Sequence, residues 1–370
     1  MRVQLVDPSA FTPPYDRALA AALARAGADV ELLTSRFLHG SVPEPDGYRV
    51  SEAFYRRTSR RGLGAPGRRA LKLAEHIPDM VSLRRRLDAD LIHYQWLTVP
   101  ALDSLLLPPD RPRVMTAHYV LPPSPSGADR TAARRLFGRM DAVIAHSQYG
   151  AARLREELGL DPARVRVIHH GAFDYLTRLP EQPLPPELEG AEGPVILFFG
   201  LLRPYKGIDV LLEAFRSVSG AELWIVGKPR MPLDELQEAA ARAGGRVRLV
   251  PRFVEEAEIP AIFRRADLVA LPYRDIEHSG VVYTALAFGK PLVLSAVGGF
   301  PELAAQTGAA RIVSPGSASE LGQALAELVD DEGARAELAA ASARAAAQDY
   351  SWEQAARQTL DLYEELLSSR

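Results

Sequence analysis

The 370-residue sequence contains no cysteine, which excludes disulfides, cysteine-ligated zinc, iron–sulfur clusters and a thiol nucleophile. Its longest apolar runs, such as residues 194–202, are far shorter than the roughly 18 residues that a membrane-spanning helix needs. No basic, apolar and then small-residue leader follows Met1, so we expect a cytoplasmic protein rather than a secreted one. The net charge of −3 argues against a nucleic-acid partner.

Charge and proline content divide the chain into two parts. Residues 1–175 carry 25 basic and 19 acidic side chains, whereas the remaining residues carry 19 basic and 28 acidic ones. Between them, residues 179–194 contain five prolines, which neither a core helix nor a central strand tolerates. We therefore predict a linker over 179–194 between one domain at 1–178 and a second at 195–349.

Short apolar runs alternate with amphipathic stretches in both parts. The runs are apolar on both faces, which is typical of buried parallel strands, and the repeated strand–helix units predict an α/β fold with two doubly wound parallel-sheet domains. The predicted strands are 3–6, 29–34, 90–94, 113–118, 142–147 and 165–169, then 194–200, 222–227, 247–250, 267–271, 291–295 and 310–313. The predicted helices include 18–26, 209–218, 233–243, the alanine-rich stretch 318–348, and 352–367.

Ligands of open parallel sheets bind beyond the carboxyl ends of the strands. Two such domains facing each other would enclose a cleft. The residues that follow the predicted strands are unusual for simple loops. These residues are His118, Ser147, His170, Gly171, Gly200, Gly227, Ser279, Gly280, Gly298 and Gly299.

The segment from Gly200 to Gly207 has the composition of a phosphate-binding turn. It runs from a buried strand into a helix, whose first amides favour an anion, and Arg203 and Lys206 add two full charges. Lysine is rare in this chain, with four occurrences against forty arginines, so its presence at position 206 is unexpected from composition. The alternative interpretation is an exposed basic turn. The segment matches neither the P-loop nor the G-x-G-x-x-G pattern.

Two further glycine turns follow at the same sheet edge. Ser279 is a predicted N-cap for a short helix over 280–289, where Gly280 permits a ligand to approach the backbone closely. The next strand leads into Gly298–Gly299–Phe300–Pro301–Glu302, which begins another helix. Either turn alone could be an ordinary connection between a strand and a helix. The recurrence of such turns at the same sheet edge as Lys206 favours a binding site.

The ordered motifs of this half resemble those of the family 4 (GT4) retaining glycosyltransferases. The resemblance implies a GT-B fold, in which two Rossmann-like domains face a cleft that holds a nucleotide-sugar. It also implies that a last helix, 350–370, packs back on the N-terminal domain. The residues that carry it are Gly200, Arg203, Lys206, Gly207, Gly227, Ser279, Gly280, the stretch from Ala285 to Pro291, and Gly298 to Glu302.

The resemblance implies a role for each matched position. Arg203 and Lys206 would neutralise the donor diphosphate, and His118 would lie near the transferred sugar, although a histidine at a strand end is often structural. The remaining donor-binding candidates are Gly200, Gly227, Ser279, Gly280, Val281, Thr284 and Glu302.

The chain departs from the family pattern at two places. The family commonly has paired glutamates eight residues apart, and here Ile276 and Thr284 stand at those positions. The second glutamate usually holds the nucleotide ribose, so Glu277 or Glu302 would have to substitute for it. The glycine pair of the family's first loop is also absent, and Tyr15 and Asp16 are candidates to face the acceptor there.

The chemistry that these residues imply needs neither a cofactor nor a metal. We find no His/Asp/Glu cluster with metal-ligand spacing and no partnered carboxylates at the sheet edges, so a covalent glycosyl-enzyme is not expected. The resemblance implies attack by the acceptor on the same face from which the diphosphate leaves. Two alternatives remain: a nucleotide-sugar epimerase with the GT-B fold, and a non-catalytic protein that binds sugar nucleotides.

Arginines cluster between residues 56 and 86. Arg84–Arg86 is one group, and residues 56–72, from Arg56 to Lys72, are another that is interrupted by a glycine-rich stretch, 62–67, predicted to be a mobile loop. The simple interpretation is a solvated surface. The alternative is a peripheral contact with anionic lipid at the inner membrane face, where each basic side chain contributes on the order of 1 kcal/mol.

Overall fold

The computed structural model of the chain describes residues 1–38, 40, 42, 44–60, 66–122, 124–180, 182–243 and 246–369. The chain forms two compact units: Met1–Gly171 with Trp352–Arg370, called unit 1, and Ala172–Ser351, called unit 2. Segment 179–194, predicted to be a linker, lies within unit 2. Its Leu188 is buried in the core of unit 2, and the guanidinium of Arg248 donates to the carbonyl oxygen of Glu189, so the segment packs on this unit.

Unit 1 contains a seven-stranded parallel sheet with the order β3-β2-β1-β4-β5-β6-β7. Val3 of the central strand pairs with Val30 on one side and with Leu91 on the other, so the strand order reverses at β1. Its elements in chain order are β1 Arg2–Asp7, α1 Pro13–Arg25, β2 Asp29–Ser35, β3 Arg49–Phe54, α2 Arg68–Leu83, β4 Leu91–Tyr94, α3 Pro100–Leu106, β5 Arg113–Ala117, α4 Gly127–Phe137, β6 Ala142–Ala145, α5 Gln148–Glu156 and β7 Val165–Val167.

Unit 2 contains a six-stranded parallel sheet with the order β10-β9-β8-β11-β12-β13, and here the order reverses at β8. Its elements are β8 Val195–Phe199, α6 Ile208–Phe215, β9 Glu222–Val226, α7 Leu233–Arg242, β10 Val247–Val250, α8 Ile259–Arg265, β11 Leu268–Leu271, α9 Gly280–Ala287, β12 Leu292–Ser295, α10 Phe300–Thr307, β13 Ala310–Val313, α11 Ala318–Asp330 and α12 Glu332–Ala347.

The central strands are buried because helices cover both faces of each sheet. Every residue of β11 is buried, as its continuous apolar run predicted, and every residue of β9 is buried as well, including Glu222. The predicted α/β class with two doubly wound parallel sheets is confirmed. In an arrangement of this kind, the loops beside the reversal point, which follow β8 and β11 in unit 2, are the usual place for a ligand.

Strand β3 and helix α2 are among the elements of unit 1 that were not predicted. Strand β3 lies at the sheet edge and has the mixed sequence RVSEAF, so it lacks the continuous apolar run of a central strand. Helix α2 was missed because its arginines and the glycines before it were interpreted as a loop. The predicted mobile loop at 62–67 falls largely on residues 61–65, which lie outside the described residues.

The last helix, α13 Trp352–Ser368, belongs to unit 1, where it packs against α1. Trp352 is buried at its first position, and its indole ring lies against the backbone of Gly171. A Cβ atom on Gly171 would lie 2.3 Å from Cδ2 of Trp352, so only glycine leaves room for the ring. This contact joins the start of α13 to the chain that follows β7.

The helices among the described residues are short or strongly polar. None of them combines the length and the apolar character that crossing a bilayer requires.

Substitution of Gly171 by alanine should destabilise unit 1. The new methyl group overlaps the indole of Trp352, and overpacking of this kind costs about 1–3 kcal/mol. The free energy of unfolding from urea titration, followed by the fluorescence of the tryptophans, measures the effect.

The matched control for this prediction is Gly127→Ala in α4. A Cβ atom at Gly127 meets no heavy atom within 4 Å, so the control should change the free energy of unfolding by less than about 0.5 kcal/mol. Equal stability of both variants would contradict the packing that we describe.

Candidate functional site

Two glycines follow the central strands of unit 2 and let their loops approach each other. Gly200 follows β8 with φ of +107°, and Gly227 follows β9 with φ of +148°. A Cβ atom on Gly227 would lie 1.9 Å from the carbonyl oxygen of Gly200, so a side chain has no room there. A Cβ atom on Gly200 would lie 3.1 Å from Nζ of Lys206 and 3.3 Å from Cγ2 of Val281. The structure therefore brings these predicted donor-binding positions together.

Lys206 is the unusual residue of this group. It ends the 3-10 turn Pro204–Lys206 and is only 7% exposed. Its Nζ lies 4.9 Å from the centroid of the Tyr273 ring, a cation–π contact, and it has no hydrogen-bond or ion-pair partner among the described residues. Burial, together with the nearby charge of Arg203, lowers the pKa of Lys206 to about 8. A buried, unpaired ammonium is costly unless an anion binds to it.

The loop that carries Lys206 is held in place by its neighbours. Gly207 adopts a φ of +68°, and a Cβ atom there would lie 2.0 Å from the carbonyl oxygen of Pro272. The guanidinium of Arg274 donates to Asp209 at 2.8 Å and to the carbonyl oxygen of Pro204 at 3.0 Å. The hydrogen bond from Arg274 holds the pKa of Asp209 below its ordinary value. The loop after β11 thereby fixes the loop after β8.

Arg203 differs from Lys206 in its surroundings. Its side chain is exposed, and among the described residues its guanidinium has neither an ion-pair nor a hydrogen-bond partner. Arg203 directly precedes the 3-10 turn that ends at Lys206, so both cationic side chains belong to the same short loop. Of the two cations predicted from the sequence, Lys206 is therefore buried and Arg203 is solvated.

The first turn of α9 adds polar groups beside Lys206. Ser279 is buried at the N-cap position, but its hydroxyl does not cap the helix and lies 3.4 Å from the hydroxyl of Tyr273. Gly280 is exposed, and a Cβ atom there would meet only an ordinary contact with Phe173. The amides that open this helix point toward its N-terminal side, where a helix favours negative charge.

Thr284 and Glu302 are less clearly placed for donor binding. Thr284 is buried, and its hydroxyl donates to the carbonyl oxygen of Gly280 at 3.2 Å, within the same helix. Glu302 lies in the first turn of α10 and accepts a hydrogen bond from the side-chain amide of Gln306 at 3.4 Å. Gly299, which precedes this helix, donates its N–H to the carbonyl oxygen of Glu277 at 3.0 Å.

In unit 1, His118 belongs to a cluster of rings at the carboxyl ends of β5, β6 and β7. Its imidazole stacks on Trp96 with centroids 4.8 Å apart, and its Nε2 lies 3.3 Å from Oε1 of Gln95. The ring of Tyr15 contacts it edge-on at 4.7 Å. Other members of the cluster, each with its centroid within 5.3 Å of that of Tyr15, are His146, His170 and Trp352. The sequence predicted His118 and Tyr15 at the same sheet edge, and the structure brings them into contact.

The sequence analysis expected no partnered carboxylates at a sheet edge, and here the structure differs. Asp16 and Asp7, at the end of β1, lie side by side and are buried. Asp7 accepts hydrogen bonds from the backbone N–H groups of Ser9 and Phe11. Burial and the neighbouring Asp7 raise the pKa of Asp16 well above its ordinary value, and burial also raises the pKa of Asp7. Asp16 thus exposes almost no surface to an acceptor.

Two important residues of these sites were missed from the sequence. Tyr273, whose ring lies under the ammonium of Lys206, was not singled out, although an aromatic residue shortly after an apolar strand is a usable signal. Asp7 was not singled out, although a carboxylate that ends a buried strand and precedes a loop is a similar signal.

Both halves of the chain match glycosyltransferase family models. Residues 17–172 match the model described as Glycosyltransferase Family 4, and residues 193–331 match the one described as Glycosyl transferases group 1. The chain therefore belongs to the family 4 glycosyltransferases, as its motifs indicated.

Several curated relatives share the name D-inositol 3-phosphate glycosyltransferase. The one from Xylanimonas cellulosilytica is 31% identical over 245 residues, which cover 62% of this chain and 58% of the relative. The one from Mycobacteroides abscessus is 29% identical over 62% of this chain and 53% of the relative. The chain thus matches a little over half the length of these relatives. A GDP-mannose:glycolipid 4-beta-D-mannosyltransferase of Xanthomonas campestris pv. campestris is 37% identical over 101 residues, 26% of this chain and 29% of the relative.

Solved structures resemble the chain over its whole length. Sucrose-phosphate synthase from Thermosynechococcus elongatus matches with a TM-score of 0.75 and 20% identity, covering 100% of both chains. HepE from Anabaena, in complex with UDP, matches with a TM-score of 0.74 and 21% identity, covering 99% of this chain and all of that one. At these identities the likeness concerns the fold, and it confirms the predicted GT-B class.

Replacement of Lys206 by methionine should change how stability depends on pH. The pKa of Lys206 is lower in the folded protein, about 8, than its ordinary value of 10.5. Between these values the unfolded chain binds more protons, so the free energy of unfolding of the natural protein rises with pH by roughly 3 kcal/mol through this group. Lys206→Met should be the more stable protein at pH 7, and its advantage should shrink as the pH rises from 8 to 10.5.

Urea unfolding at several pH values between 7 and 10.5 gives this difference. Lys228→Met is the matched control, because Lys228 is an exposed lysine of the same unit. A difference between Lys206→Met and the natural protein that stays constant with pH, or one that Lys228→Met reproduces, would contradict the burial of an unpaired ammonium.

Proposed function

We propose that the protein transfers a sugar from a nucleotide-diphospho-sugar to an acceptor hydroxyl, with retention of anomeric configuration and without a resident metal ion. The observation that carries this proposal is the buried ammonium of Lys206, which has no protein partner among the described residues. It lies beside Gly200 at the carboxyl edge of the unit 2 sheet, where the fold class binds its ligands. A diphosphate is the anion that this group would pair with.

The proposed reaction requires stabilisation of the negative charge that develops on the departing diphosphate. The bond between the anomeric carbon and the diphosphate oxygen breaks, and its electron pair goes to the departing nucleotide diphosphate. Lys206, Arg203 and the amides that open α9 supply fixed positive charge and donors for that oxygen. A preorganised group of this kind contributes on the order of 3–4 kcal/mol to the transition state. Together they can perform the role that a metal ion has in other enzymes.

The acceptor attacks on the face from which the diphosphate departs. Its oxygen forms the new bond to the anomeric carbon, and its proton passes to an oxygen of the leaving phosphate. We place His118 near the transferred sugar. The carboxyl pair that the structure does contain, Asp7 with Asp16, is buried and held by backbone amides, so it is not offered to a sugar as a nucleophile. This supports a mechanism without a covalent glycosyl-enzyme.

The names of similar proteins define the substrates to test first. One similar structure was solved with UDP, and one relative is named for GDP-mannose, so the donor panel needs both nucleotides. The relatives named for D-inositol 3-phosphate and for a glycolipid supply two acceptor classes. We propose a phosphate-bearing polyol or a glycolipid as the acceptor.

One observation favours a second candidate, a non-catalytic protein that binds sugar nucleotides. The family glutamate is replaced by Thr284, whose hydroxyl is bonded within its own helix and offers no carboxylate to a ribose. Stabilisation by a nucleotide without turnover of any sugar nucleotide would support this candidate over the transferase. Conversion of the donor to its sugar epimer would identify the epimerase instead.

Replacement of Lys206 by alanine should lower kcat/KM for the donor by about 100- to 1000-fold, the loss expected when a preorganised charge at the leaving group is removed. Arg203→Ala should lose less than about tenfold, because water screens an exposed charge. Release of the nucleoside diphosphate, with and without acceptor, measures turnover, and the anomeric proton coupling of the product reports retention.

Lys228→Ala is the matched control and should retain full activity. Urea unfolding of each variant separates lost chemistry from lost folding. Full activity of Lys206→Ala would contradict the proposal, and loss of turnover after exhaustive treatment with EDTA would contradict its metal independence.

Donor affinity should depend on the protonation of Lys206. Because only the ammonium attracts a diphosphate, the affinity for UDP or GDP should fall as the pH rises through about 8, by up to tenfold per pH unit. Calorimetric titration from pH 7 to 10 gives the profile. Lys206→Met should bind the nucleotide weakly at every pH in this range. An affinity of the natural protein that does not change with pH would contradict this role of Lys206.

A further inference from the structure

Four rings of unit 1 contact one another from the buried sheet edge to the surface. The Phe11 ring lies against Trp96 with centroids 5.0 Å and planes 28° apart, and Trp96 stacks in turn on His118 at 4.8 Å and 9°. Tyr119 contacts Trp96 at 5.4 Å. His118 is 5% exposed, whereas Phe11 and Tyr119 are 58% and 50% exposed. Single exposed apolar side chains are ordinary, but adjacent exposed rings mark a binding surface. Phe11, Trp96 and Tyr119 are called here the aromatic platform.

The loop after β1 holds Phe11 in its exposed position. The N–H of Phe11 donates to Oδ2 of Asp7 at 2.6 Å, and the indole nitrogen of Trp96 donates to the hydroxyl of Thr12 at 2.8 Å. Ala10 has a φ of +48°, which a residue with a Cβ atom rarely adopts. These features fix the ring beside Trp96, and a rigid surface binds a ligand at a smaller entropic cost. The same loop lacks the family's glycine pair, so the platform is built on a departure from the family pattern.

Polar side chains beside the aromatic platform have unused hydrogen-bonding capacity. Gln95 directly precedes Trp96, and its side-chain nitrogen is buried with no hydrogen-bond partner among the described residues. Its Oε1 lies 3.3 Å from Nε2 of His118. One carboxyl oxygen of Asp16 is buried without a partner in the same part of the chain. Buried donors and acceptors are unfavourable when they are left unpaired, so hydroxyl groups of a ligand would find partners near the rings.

The aromatic platform offers no fixed positive charge of its own. The segments that supply its rings and their neighbours contain no lysine or arginine: 7–16, 95–98 and 117–119. Two cations from outside these segments, Lys72 and Arg17, interact with the carboxyl groups of Asp7 and Asp16 respectively. The platform therefore suits a ligand with an apolar face and hydroxyl groups rather than one with a negative charge.

We propose that the aromatic platform binds an uncharged sugar ring of the acceptor. A pyranose has a face of C–H groups that packs on an aromatic ring, and its hydroxyl groups can bond to the polar neighbours. An acyl chain would leave those neighbours unsatisfied, and a phosphate would meet the carboxyl groups of the loop. The inference rests on the proposed transferase function, and it favours a sugar-bearing acceptor over a phosphate-bearing polyol. His118, which we place near the transferred sugar, lies at the inner end of the same stack.

Saturation-transfer NMR with the full chain, in the absence of a donor, tests this contact directly. Methyl β-D-glucopyranoside and methyl α-D-mannopyranoside are the neutral probes, and D-inositol 3-phosphate is the charged one. Saturation of the aromatic protons should reach the neutral glycosides and should be strongest on the axial protons of one ring face. Phe11→Ala should raise their Kd by about 5- to 10-fold, as expected for the loss of one stacked ring, and Phe11→Tyr should preserve it. Phe253→Ala, at a comparably exposed ring of unit 2, is the matched control and should have no effect.

The fluorescence of Trp96 gives a second measurement of the same binding. The chain has three tryptophans, and Trp224 and Trp352 are only 0% and 3% exposed, whereas Trp96 is half-buried. A change of emission on titration with a glycoside should therefore come from Trp96. It should saturate with the Kd that NMR gives, and Trp96→Phe should abolish it.

Three results would overturn the proposal: no saturation of either neutral glycoside, binding that Phe11→Ala leaves unchanged, or tighter binding of D-inositol 3-phosphate than of the glycosides. Urea unfolding of Phe11→Ala should match that of the natural protein, because the ring is exposed, so lost binding is not lost folding. In turnover assays with a sugar-bearing acceptor, Phe11→Ala should raise the KM for the acceptor more than it lowers kcat. Because the binding tests contain no donor, they are independent of the Lys206→Ala assay: full activity of that variant would contradict the transferase mechanism without removing glycoside binding at Phe11.

Discussion

A positive charge placed where water hardly reaches it is the constraint on which the candidate site depends. Lys206 has the ring of Tyr273 under its ammonium and no anion of the protein beside it. Such a group weakens the fold, because its desolvation is not compensated. Much of the surrounding structure serves to keep it there: the positive φ of Gly207, the close passage of Pro272, and the bonds from Arg274 to Asp209 and to Pro204. A bound diphosphate would compensate the desolvation of the ammonium, and this compensation would contribute to its affinity.

Unit 1 buries two carboxyl groups at the end of β1, and they are satisfied only in part. Backbone amides donate to Asp7, which lies beside Asp16. One carboxyl oxygen of Asp16 is buried without a hydrogen-bond partner among the described residues, and so is the side-chain nitrogen of Gln95, whose Oε1 lies 3.3 Å from His118. Incompletely satisfied polar groups therefore occur in both units, and Lys206 differs from the others in being a cation.

Much of this fold could be predicted because strands buried on both faces are continuously apolar, as β8 and β11 are. Strand β3 was missed because an edge strand is only half buried, and α2 because its apolar side faces outward among arginines. Lys206 could be singled out by the rarity of lysine, but its burial could not. That burial depends on Tyr273, which stands 67 positions away in the chain and is brought near by the pairing of β8 with β11. The Asp7–Asp16 pair similarly joins a strand end to the first turn of a helix.

The measurement that tests the central claim most directly is the protonation of Lys206 itself, with and without a nucleotide. The chain has four lysines, so labelling of lysine with carbon-13 at Cε gives four signals, and Lys206→Met identifies the one of interest. We predict that this signal titrates near pH 8 in the free protein and that saturating UDP or GDP raises its pKa, because a diphosphate stabilises the ammonium. A signal that titrates like those of exposed lysines, or one that no nucleotide shifts, would contradict the account.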